Sequence, residues 1–492
     1  MRLSNLWHVL NVKPLIIVLV FIPVLSVFMH WRAFDVDLVS THVWRQAQTQ
    51  STIISFYEED FNILNPRQNA RGGNDGIFRM EFPIMQWGFA CFYKLFGNHL
   101  IISRILTFLL GLCSVWGMYV LARALIREKT AALATAWAFN FSPAFFYYTV
   151  NPLPDNFALC CGIWGIAFFF RWHEKPATRY LLLTGLFLSL AALAKLPFVL
   201  YFIIPVVPAL LDFWQDGKVA VGRRRIWIAL LFLIPPAAWY AWVIPGWSGN
   251  GIVEGISAEG VSMRLIFGYM LDNLVSVLPE MLLNYAAVPF FIAGLYLLFK
   301  EQKYRDRRVI PMAACGMAVV AYFIFEINMI ANVHDYYLFP FMPFLFILVG
   351  FGAWRILRSR NSWWSGLAKL LLIALPLTAF LRMQVRWDVE NPGFNKDWLD
   401  NKTALRAAAP KNTLCVVGND LSYCIYFYYI DKKGWPFGAD RLNAEQLNQM
   451  IGEGARYLYS DSRTIDENKD IVPLLDSLIL EKGSVRVFRL KQ

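Results

Sequence analysis

A polar stretch between residues 34 and 83 contains the side chains best suited to chemistry. It concentrates carboxylates, an imidazole and guanidinium groups in a chain of which only 16% is charged. Carboxylates and imidazoles can take a proton from a hydroxyl group or bind a metal, and guanidinium groups can bind phosphate. Beside an apolar span they could also be solvated flanks, but their density favours a site. The candidate bases are Asp35, Asp37 and His42, and the candidate substrate-binding residues are Arg45 and Glu81.

Further candidates lie at or beside apolar runs later in the chain. Asp155 occurs in NPLPDNF and Lys195 in LAALAKLPF, while His334, Tyr336 and Tyr337 occur in HDYYLFP. Ionisable groups at membrane depth are costly, so they tend to face a cavity or a charged partner. Simpler alternatives stay open, since Asp155 could cap a helix, Lys195 could snorkel and the tyrosines could form an interface belt. We expect all five to bind substrate, with His334 as a phosphate or sugar ligand.

The composition indicates a membrane protein. Hydrophobic residues make up 57% of the 492 residues, whereas soluble domains are about half apolar and about a quarter charged. The net charge of +11 could suggest a nucleic-acid partner. However, Lys and Arg cluster in short loops between apolar runs, which is the pattern of cytoplasmic loops. The charge therefore requires no nucleic acid, and none is expected.

The apolar runs predict about eleven membrane-spanning helices. Because Arg2 and Lys13 precede the first span, we expect the N-terminus in the cytoplasm and the first loop, 31–98, outside. Within the run 180–212, Lys195 and Pro197 indicate either a tight hairpin or one broken helix. The predicted spans are 14–30, 100–122, 132–150, 155–171, 180–194, 196–212, 226–245, 281–299, 309–326, 337–354 and 366–382.

The outer segments contain shorter elements. A helix is predicted at 44–57, and the apolar residues 84–96 are expected at the interface or in the bundle. The segment 246–280 is Gly-rich at first and then predicts an interfacial helix. An odd number of spans leaves residues 386–492 outside, where strand-like runs and one helical pattern predict a small α/β domain. Its strands are expected at 414–418, 455–460 and 485–490 and its helix at 443–453.

The sequence therefore predicts an all-α polytopic membrane bundle over residues 1–385, with the site in its first outer loop, and an extracytoplasmic α/β domain over residues 386–492. Several short motifs occur in a fixed order along the bundle. They are HVWRQA at 42–47, EDFNILNPR at 59–67, MEFPIMQW at 80–87, KLFG at 94–97, Pro154–Asp155, Lys195–Pro197, and Asp335–Tyr337 with Pro340 and Pro343.

In this order the motifs resemble those of the GT-C type membrane glycosyltransferases, in the branch of the protein O-mannosyltransferases and lipid A aminoarabinose transferases. One departure concerns the family's acidic pair before the arginine, which is replaced here by His42 and Val43 in a variant with a WRQ signature. Asp37 or Asp35 could act in its place from slightly upstream, or His42 could be the base.

The resemblance implies an inverting transfer of a sugar from a polyprenyl-phosphate carrier to a lipid, glycan or protein acceptor. The reaction would take place at the outer face of a bacterial inner membrane, with the C-terminal domain in the periplasm. A carboxylate or histidine would deprotonate the acceptor, and Lys195 and Arg45 would stabilise the phosphate that leaves. Some relatives use a divalent metal. The sequence shows no ligand set for one, so no cofactor is assigned and a divalent metal stays an open alternative.

Other functions fit the same topology. A transporter or flippase of lipid-linked sugars would favour paired half-repeats with interrupted helices at matching places, and the Lys195–Pro197 break has no such counterpart. A polysaccharide ligase would concentrate Arg and His in a late outer loop, whereas the richest polar cluster here is in the first. A structural scaffold is the remaining alternative.

Overall fold

The structure is a computed structural model that describes residues 14–215, 219–247, 254–257, 261–331 and 334–492. Arg2 and Lys13, on which the expected orientation of the N-terminus depends, lie outside these residues. Most of the Gly-rich part of the segment 246–280 also lies outside them.

Helices dominate the chain up to residue 387. By length and composition, six of the described helices could cross a membrane, and four shorter ones are also apolar, so the chain is a multi-pass membrane protein. The number of spans, expected to be about eleven, stays a prediction. The helices are α1 (Pro14–Phe34), α2 (Val43–Glu58), α3 (Ile84–Phe96), α4 (Leu100–Ile126), α5 (Lys129–Asn140), α6 (Pro143–Tyr148), α7 (Pro154–Glu174), α8 (Thr178–Ala194), α9 (Ile203–Gln215), α10 (Val219–Val243), α11 (Met263–Leu283), α12 (Val288–Lys300), α13 (Val309–Phe325), α14 (Met342–Leu357) and α15 (Ser362–Gln384).

Two predicted spans are wrong in their bounds. The expected span 132–150 is divided into α5 and α6, because Ser142 caps the backbone N–H of Phe145 and Pro143 starts a new helix. The expected span 281–299 is interrupted at Asn284, whose backbone has φ 74°. As a result, α11 occupies much of the region that was expected to be an interfacial helix, and it is itself long and apolar enough to cross a membrane.

The chain reverses direction at Lys195, as a hairpin requires. Helix α8 ends at Ala194, Lys195 is extended with φ −156°, and a 3-10 turn from Leu196 leads into α9. Leu188 of α8 and Pro205 of α9 line one small cavity, and both helices pack against α10. Pro197 falls at the start of the turn, where its missing N–H costs no hydrogen bond. The break places Lys195 at a helix end.

Small residues allow close packing inside the bundle. A Cβ atom on Gly294 of α12 would lie 2.0 Å from the carbonyl oxygen of Leu348, and one on Gly352 of α14 would lie 2.0 Å from that of Phe290. Glycine at both positions therefore lets the backbones of these helices approach each other, as is common between membrane helices.

The C-terminal region forms a five-stranded sheet with the order β2-β1-β3-β5-β4. Its strands are β1 (Leu414–Gly418), β2 (Lys433–Phe437), β3 (Tyr457–Ser460), β4 (Leu475–Lys482) and β5 (Val485–Leu490), and its helices are α16 (Asp397–Asp400), α17 (Lys402–Ala407), α18 (Ile425–Ile430), α19 (Ala444–Gly452) and α20 (Arg463–Asp466). β1 is parallel to β2 and β3, while β5 is antiparallel to β3 and β4. The expected strands β1, β3 and β5 and the helix α19 are confirmed, but β2 and β4 were not predicted.

The first outer loop and the C-terminal domain are packed together. The carbonyl oxygen of Gly434 in β2 accepts hydrogen bonds from the backbone of Arg71 and Gly72, at 2.9 and 2.8 Å. Leu38 and Val43 share a hydrophobic core with Trp398 and other residues of the domain. The loop therefore covers the edge strand β2 and is held by the domain. The domain boundary expected at residue 385 stays a prediction.

Candidate active site

His42 stands at the start of α2 in a conformation that few residues adopt. Its backbone is left-handed, with φ 54° and ψ 31°, a region in which His is found more often than most non-glycine residues. Two side chains hold this turn in place, because Gln46 and Tyr147 both donate hydrogen bonds to the carbonyl oxygen of Thr41, each at 2.9 Å. A strained backbone that its surroundings hold in place is common at functional sites.

The imidazole of His42 lies in a buried group of aromatic and charged side chains. Its Nε2 is 3.9 Å from an oxygen of Asp335, and both side chains are only 3% exposed. The ring stacks on that of His334, with centroids 5.2 Å apart, and meets the ring of Tyr336 edge-on at 5.0 Å. The ring therefore places a nitrogen beside a carboxylate, which is the arrangement of a general base and the group that orients it.

Asp335 is the residue that connects this group to the bundle. It starts a 3-10 turn ahead of α14. One of its oxygens accepts a hydrogen bond from the hydroxyl of Tyr148 at 2.8 Å, and the other is 2.8 Å from Nη2 of Arg386. The guanidinium of Arg386 also lies 5.2 Å from the ring of Tyr147. The buried negative charge is thus paired and hydrogen-bonded, as a buried charge requires.

His334 contributes a neutral imidazole beside His42. Burial lowers the pKa of His334 below its ordinary value of 6.5, so the ring is uncharged near neutral pH. Its Nδ1 is 2.8 Å from the carbonyl oxygen of Met329. Because a carbonyl can only accept, Nδ1 carries the proton.

Lys195 and Asp155 form a second buried pair. Nζ of Lys195 is 3.4 Å from an oxygen of Asp155, and it lies over the rings of Tyr337 and Tyr336, at 4.9 and 5.8 Å from their centroids. Asp155 lies in the first turn of α7, where the helix dipole favours a negative charge, but Leu153 occupies the N-cap position. Among the residues that the structure describes, the second oxygen of Asp155 has no hydrogen-bond partner.

Arg45 and Glu81 form a third pair at the wall of a cleft. Their side chains make an almost fully buried ion pair. The segment around Glu81 is fixed to the bundle, because Trp239 donates to the carbonyl oxygen of Met80 at 2.9 Å and Phe82 donates to that of Leu193 at 3.0 Å. The first loop is therefore anchored to α8 and α10 next to Lys195.

The two aspartates that were candidate bases have other surroundings. The carboxylate of Asp37 pairs with Lys402 in the C-terminal domain, and the side chain of Asp35 is exposed. The structure thus brings His42, His334 and Tyr336 together, and Lys195 with Asp155 and Tyr337. Which of Asp35, Asp37 and His42 is the base stays a prediction.

Arg104 is a structural residue that the sequence analysis missed. It is fully buried in α4. Its guanidinium donates to the carbonyl oxygens of Val36 and Asp37, at 2.6 and 3.1 Å, and to Oδ1 of Asn151, at 2.8 Å. It therefore joins the start of the first outer loop to the turn before α7. A charged residue inside LIISRILTF was the available signal. Asp335, Tyr148 and Arg386 were also absent from the predicted site, because only the fold brings them together.

No metal site is evident in the described part of the chain. There, no three or more His, Cys, Asp or Glu side chains lie close enough together to hold an ion. The alternative of a divalent metal stays untested.

Comparison with known proteins gives a family match and a fold. Residues 81–242 match the model of the family described as dolichyl-phosphate-mannose-protein mannosyltransferase. Among curated protein sequences, none matches the chain. The crystal structure of ArnT from Cupriavidus metallidurans in the apo state is similar, with a TM-score of 0.67, 13% identity, and coverage of 99% of this chain and 98% of ArnT.

Two further structures show the same fold. ArnT bound to undecaprenyl phosphate aligns with a TM-score of 0.65 and 13% identity over 96% of this chain and 97% of that one. The archaeal oligosaccharyltransferase AglB from Archaeoglobus fulgidus, in complex with an inhibitory peptide and a dolichol-phosphate, aligns with a TM-score of 0.57 and 14% identity, over 96% of this chain and 72% of AglB. The chain therefore has the fold of the GT-C membrane glycosyltransferases, and the resemblance that its motifs predicted is confirmed.

Proposed function

We propose that this protein transfers a sugar from a polyprenyl-phosphate-linked donor to a hydroxyl group of a lipid, glycan or protein acceptor, with inversion at the anomeric carbon. The main support is the shared position of Tyr336. Its ring lies 5.0 Å from that of His42 and 5.8 Å from Nζ of Lys195. His42, which can accept a proton, and Lys195, which can bind phosphate, thus lie on either side of Tyr336. Sugar transfer requires two such groups close together, one at the acceptor hydroxyl and one at the phosphate that leaves.

His42 is the base that we favour. It takes the proton of the acceptor hydroxyl while the oxygen attacks the anomeric carbon and the bond from that carbon to the phosphate oxygen breaks. The carboxylate of Asp335 stabilises the imidazolium that results, and Arg386 keeps that carboxylate ionised. Asp37 is a weaker candidate because Lys402 neutralises it, and Asp35 because it is exposed.

Lys195 and Arg45 provide positive charge for the phosphate of the carrier. Each is paired with a carboxylate, Asp155 or Glu81, and can exchange this partner for phosphate oxygens when the donor binds. His334, Tyr336 and Tyr337 complete the wall around Lys195. ArnT binds undecaprenyl phosphate and AglB binds dolichol-phosphate in the structures of the same fold, which supports a carrier of this class here.

The site and the C-terminal domain belong on the outer face of a bacterial inner membrane. Lys and Arg are concentrated in the loops expected to be cytoplasmic. The domain packs on the first outer loop, so the two share one side of the bundle.

Transfer in proteoliposomes tests the proposal. The protein is reconstituted with a polyprenyl phosphate that carries a radiolabelled sugar, and fractions of envelope lipid, glycan and protein are offered as acceptors. We expect label in one acceptor fraction and a loss of at least about 100-fold in turnover for Lys195→Met. Lys94→Met, which changes a lysine that lies on the ring of Phe61, is the matched control and should keep its activity. Intact donor that crosses the bilayer without transfer would show a flippase instead.

A further inference from the structure

Glu326 is a buried carboxyl group near the phosphate side of the proposed site, and it takes no part in the proposed proton transfer. It directly follows the last residue of α13, and only 5% of its surface is exposed. Helix α13 packs on the 3-10 turn that follows Lys195 and on the turn that contains Tyr336 and Tyr337. The charge of Lys195 acts on the carboxyl group of Glu326. Glu326 is therefore a neighbour of the cation that we assign to the carrier's phosphate.

The buried charges around Lys195 do not balance if both neighbouring carboxyl groups are ionised. Nζ of Lys195 is 3.4 Å from an oxygen of Asp155, so these two charges already compensate each other. Oε2 of Glu326 and the hydroxyl of Tyr322, one turn before it, are buried and bond to no residue that the structure describes. An uncompensated charge in a buried site is costly, and a carboxyl group in such a place takes up a proton instead. Glu326 therefore holds a proton while Asp155 pairs with Lys195.

The other titratable groups near Glu326 leave this balance unchanged. Tyr322 in turn faces Tyr337 and Asp155, and phenols stay neutral near neutral pH. His334, at the start of the turn that contains Tyr337, is also uncharged there. Three further charged residues on the elements around the end of α13 are partly or fully exposed, where solvent screens them: Glu254, Arg264 and Asp272. The balance therefore depends on Glu326 and on the ion pair beside it.

We propose that Glu326 is a positioning residue that makes the binding of the carrier's phosphate depend on a proton. The inference rests on the proposed function, since it concerns the phosphate that Lys195 binds there. With its proton, Glu326 is neutral and leaves the ammonium of Lys195 available to a phosphate oxygen. Without it, a second carboxylate competes for the same ammonium and repels the phosphate. Once Glu326 has ionised, binding therefore takes up one proton from the solvent, which returns to this carboxyl group. Glu326 acts through Lys195 and needs no contact with the carrier.

The pH dependence of binding tests this role without turnover. The probe is the methyl ester of a short polyprenyl phosphate, because its one remaining acidic group stays ionised between pH 6 and pH 8.5. For the full chain in detergent, the wild-type affinity should fall at least about tenfold over this range as Glu326 loses its proton. Glu326→Gln stays neutral, so it should lose most of this dependence and bind at least about fivefold more tightly than the wild type at pH 8.5. Equal pH profiles of the two proteins would overturn the proposal.

Two further variants separate the effect of charge from that of structure. Glu326→Asp keeps an ionisable carboxyl group and should keep the pH dependence. Glu280→Gln is the matched control, because Glu280 forms an ion pair with Arg382 and is partly exposed, and it should follow the wild type. Thermal unfolding shows whether each variant is folded. Loss of the pH dependence in folded Glu280→Gln protein would contradict the proposal.

Calorimetry of the wild type is a second test that holds even if Glu326→Gln does not fold. Heats of binding at pH 8, in buffers with different ionisation enthalpies, report the protons taken up. Imidazoles with an ordinary pKa are neutral at this pH, so we expect the uptake of a fraction of a proton for each carrier bound. Binding without proton uptake would overturn the proposal. A carrier that binds with proton uptake but is never cleaved would refute the proposed transfer and leave the role of Glu326 standing.

Discussion

The carboxylate of Asp335 joins three parts of the bundle at the scale of single residues. It faces His42 at the start of α2, Tyr148 at the end of α6 and Arg386 after α15. Tyr148 and Asp335 are 187 positions apart, so no local pattern can reveal their contact. The sequence could predict His42, Arg45, Lys195 and their neighbours as polar residues in unusual surroundings. It could not predict the partners that make them a site.

The choice of base is testable by substitution at this scale. We expect His42→Asn to lower turnover by about 100-fold or more, because general base catalysis contributes roughly 10² to 10⁴. The turnover of Asp37→Asn and of Asp35→Asn should stay within about tenfold of the wild-type value. The carboxylate of Asp37 is paired with Lys402 and that of Asp35 is exposed, so neither is placed to act as the base. Steady-state transfer rates in proteoliposomes are the measurement. Inactive Asp37→Asn or Asp35→Asn protein beside active His42→Asn protein would move the role to an aspartate.

Arg104 should be important for stability. Arg104→Met leaves the carbonyl oxygens of Val36 and Asp37 and the amide of Asn151 without their buried donor. We expect the free energy of unfolding to fall by about 3 kcal/mol. Thermal unfolding in detergent measures the change. Arg127→Met, at the exposed end of the same helix, is the control, and an equal effect of both substitutions would show that the buried contacts of Arg104 contribute little.

At the scale of elements, the sequence predicts what has a local pattern and misses what depends on neighbours. Helix α2 follows from its helical periodicity, and the strands β1, β3 and β5 follow from short runs of apolar, aromatic or β-branched residues. Strand β2 was missed because Gly434 and Pro436 are typical of turns. The structure accommodates both, since β2 is an edge strand and a Cβ on Gly434 would lie 2.1 Å from the carbonyl oxygen of Cys415. The breaks at Ser142 and Asn284 were likewise hidden within apolar runs.

The contact between the first outer loop and the sheet should weaken in acid. Burial raises the pKa of Glu59, but hydrogen bonds from Lys433 and Arg71 outweigh it and lower the pKa below its ordinary value of 4.5. The stability that this carboxylate contributes is therefore present above its ordinary pKa and is lost as the pH falls through the lowered one. We expect Glu59→Gln to cost about 1 kcal/mol at pH 7 and progressively less below about pH 4.5.

Melting temperatures of the wild type and Glu59→Gln between pH 7 and pH 3 measure this difference. The same substitution in a Lys433→Met background should show a weaker pH dependence, because one of the two cations is gone. A difference that stays constant over the whole range would mean that Glu59 is not stabilised by its charge.

At the scale of the whole molecule, composition alone predicts a polytopic membrane protein with a polar C-terminal domain. It does not reveal that the domain and the first loop share a core, because Leu38 and Val43 precede their partners, such as Trp398, by more than three hundred positions. The order of the short motifs predicts the fold only through their resemblance to a known family, since composition alone does not distinguish one polytopic bundle from another.

Removal of the C-terminal domain should abolish the proposed sugar transfer. A chain that ends at Glu390 would expose Leu38 and Val43 and leave Asp37 without Lys402. We expect at least a 100-fold loss of transfer, since small displacements of reacting groups are costly. A protease site inserted after the exposed Glu390 provides the control, because the cut domain should stay bound through the shared core and preserve activity. Full activity of the shortened chain would show that the loop holds its shape alone.

The central claim is that one chain couples the breakage of a sugar–phosphate bond to glycosylation of an acceptor. Mass spectrometry of proteoliposomes supplied with isotope-labelled polyprenyl-phosphate sugar tests it most directly. The predicted result is one molecule of bare polyprenyl phosphate for each labelled sugar on the acceptor, with the anomeric configuration inverted, in the wild type and not in His42→Asn. Carrier that keeps its sugar, or a product with retained configuration, would contradict it.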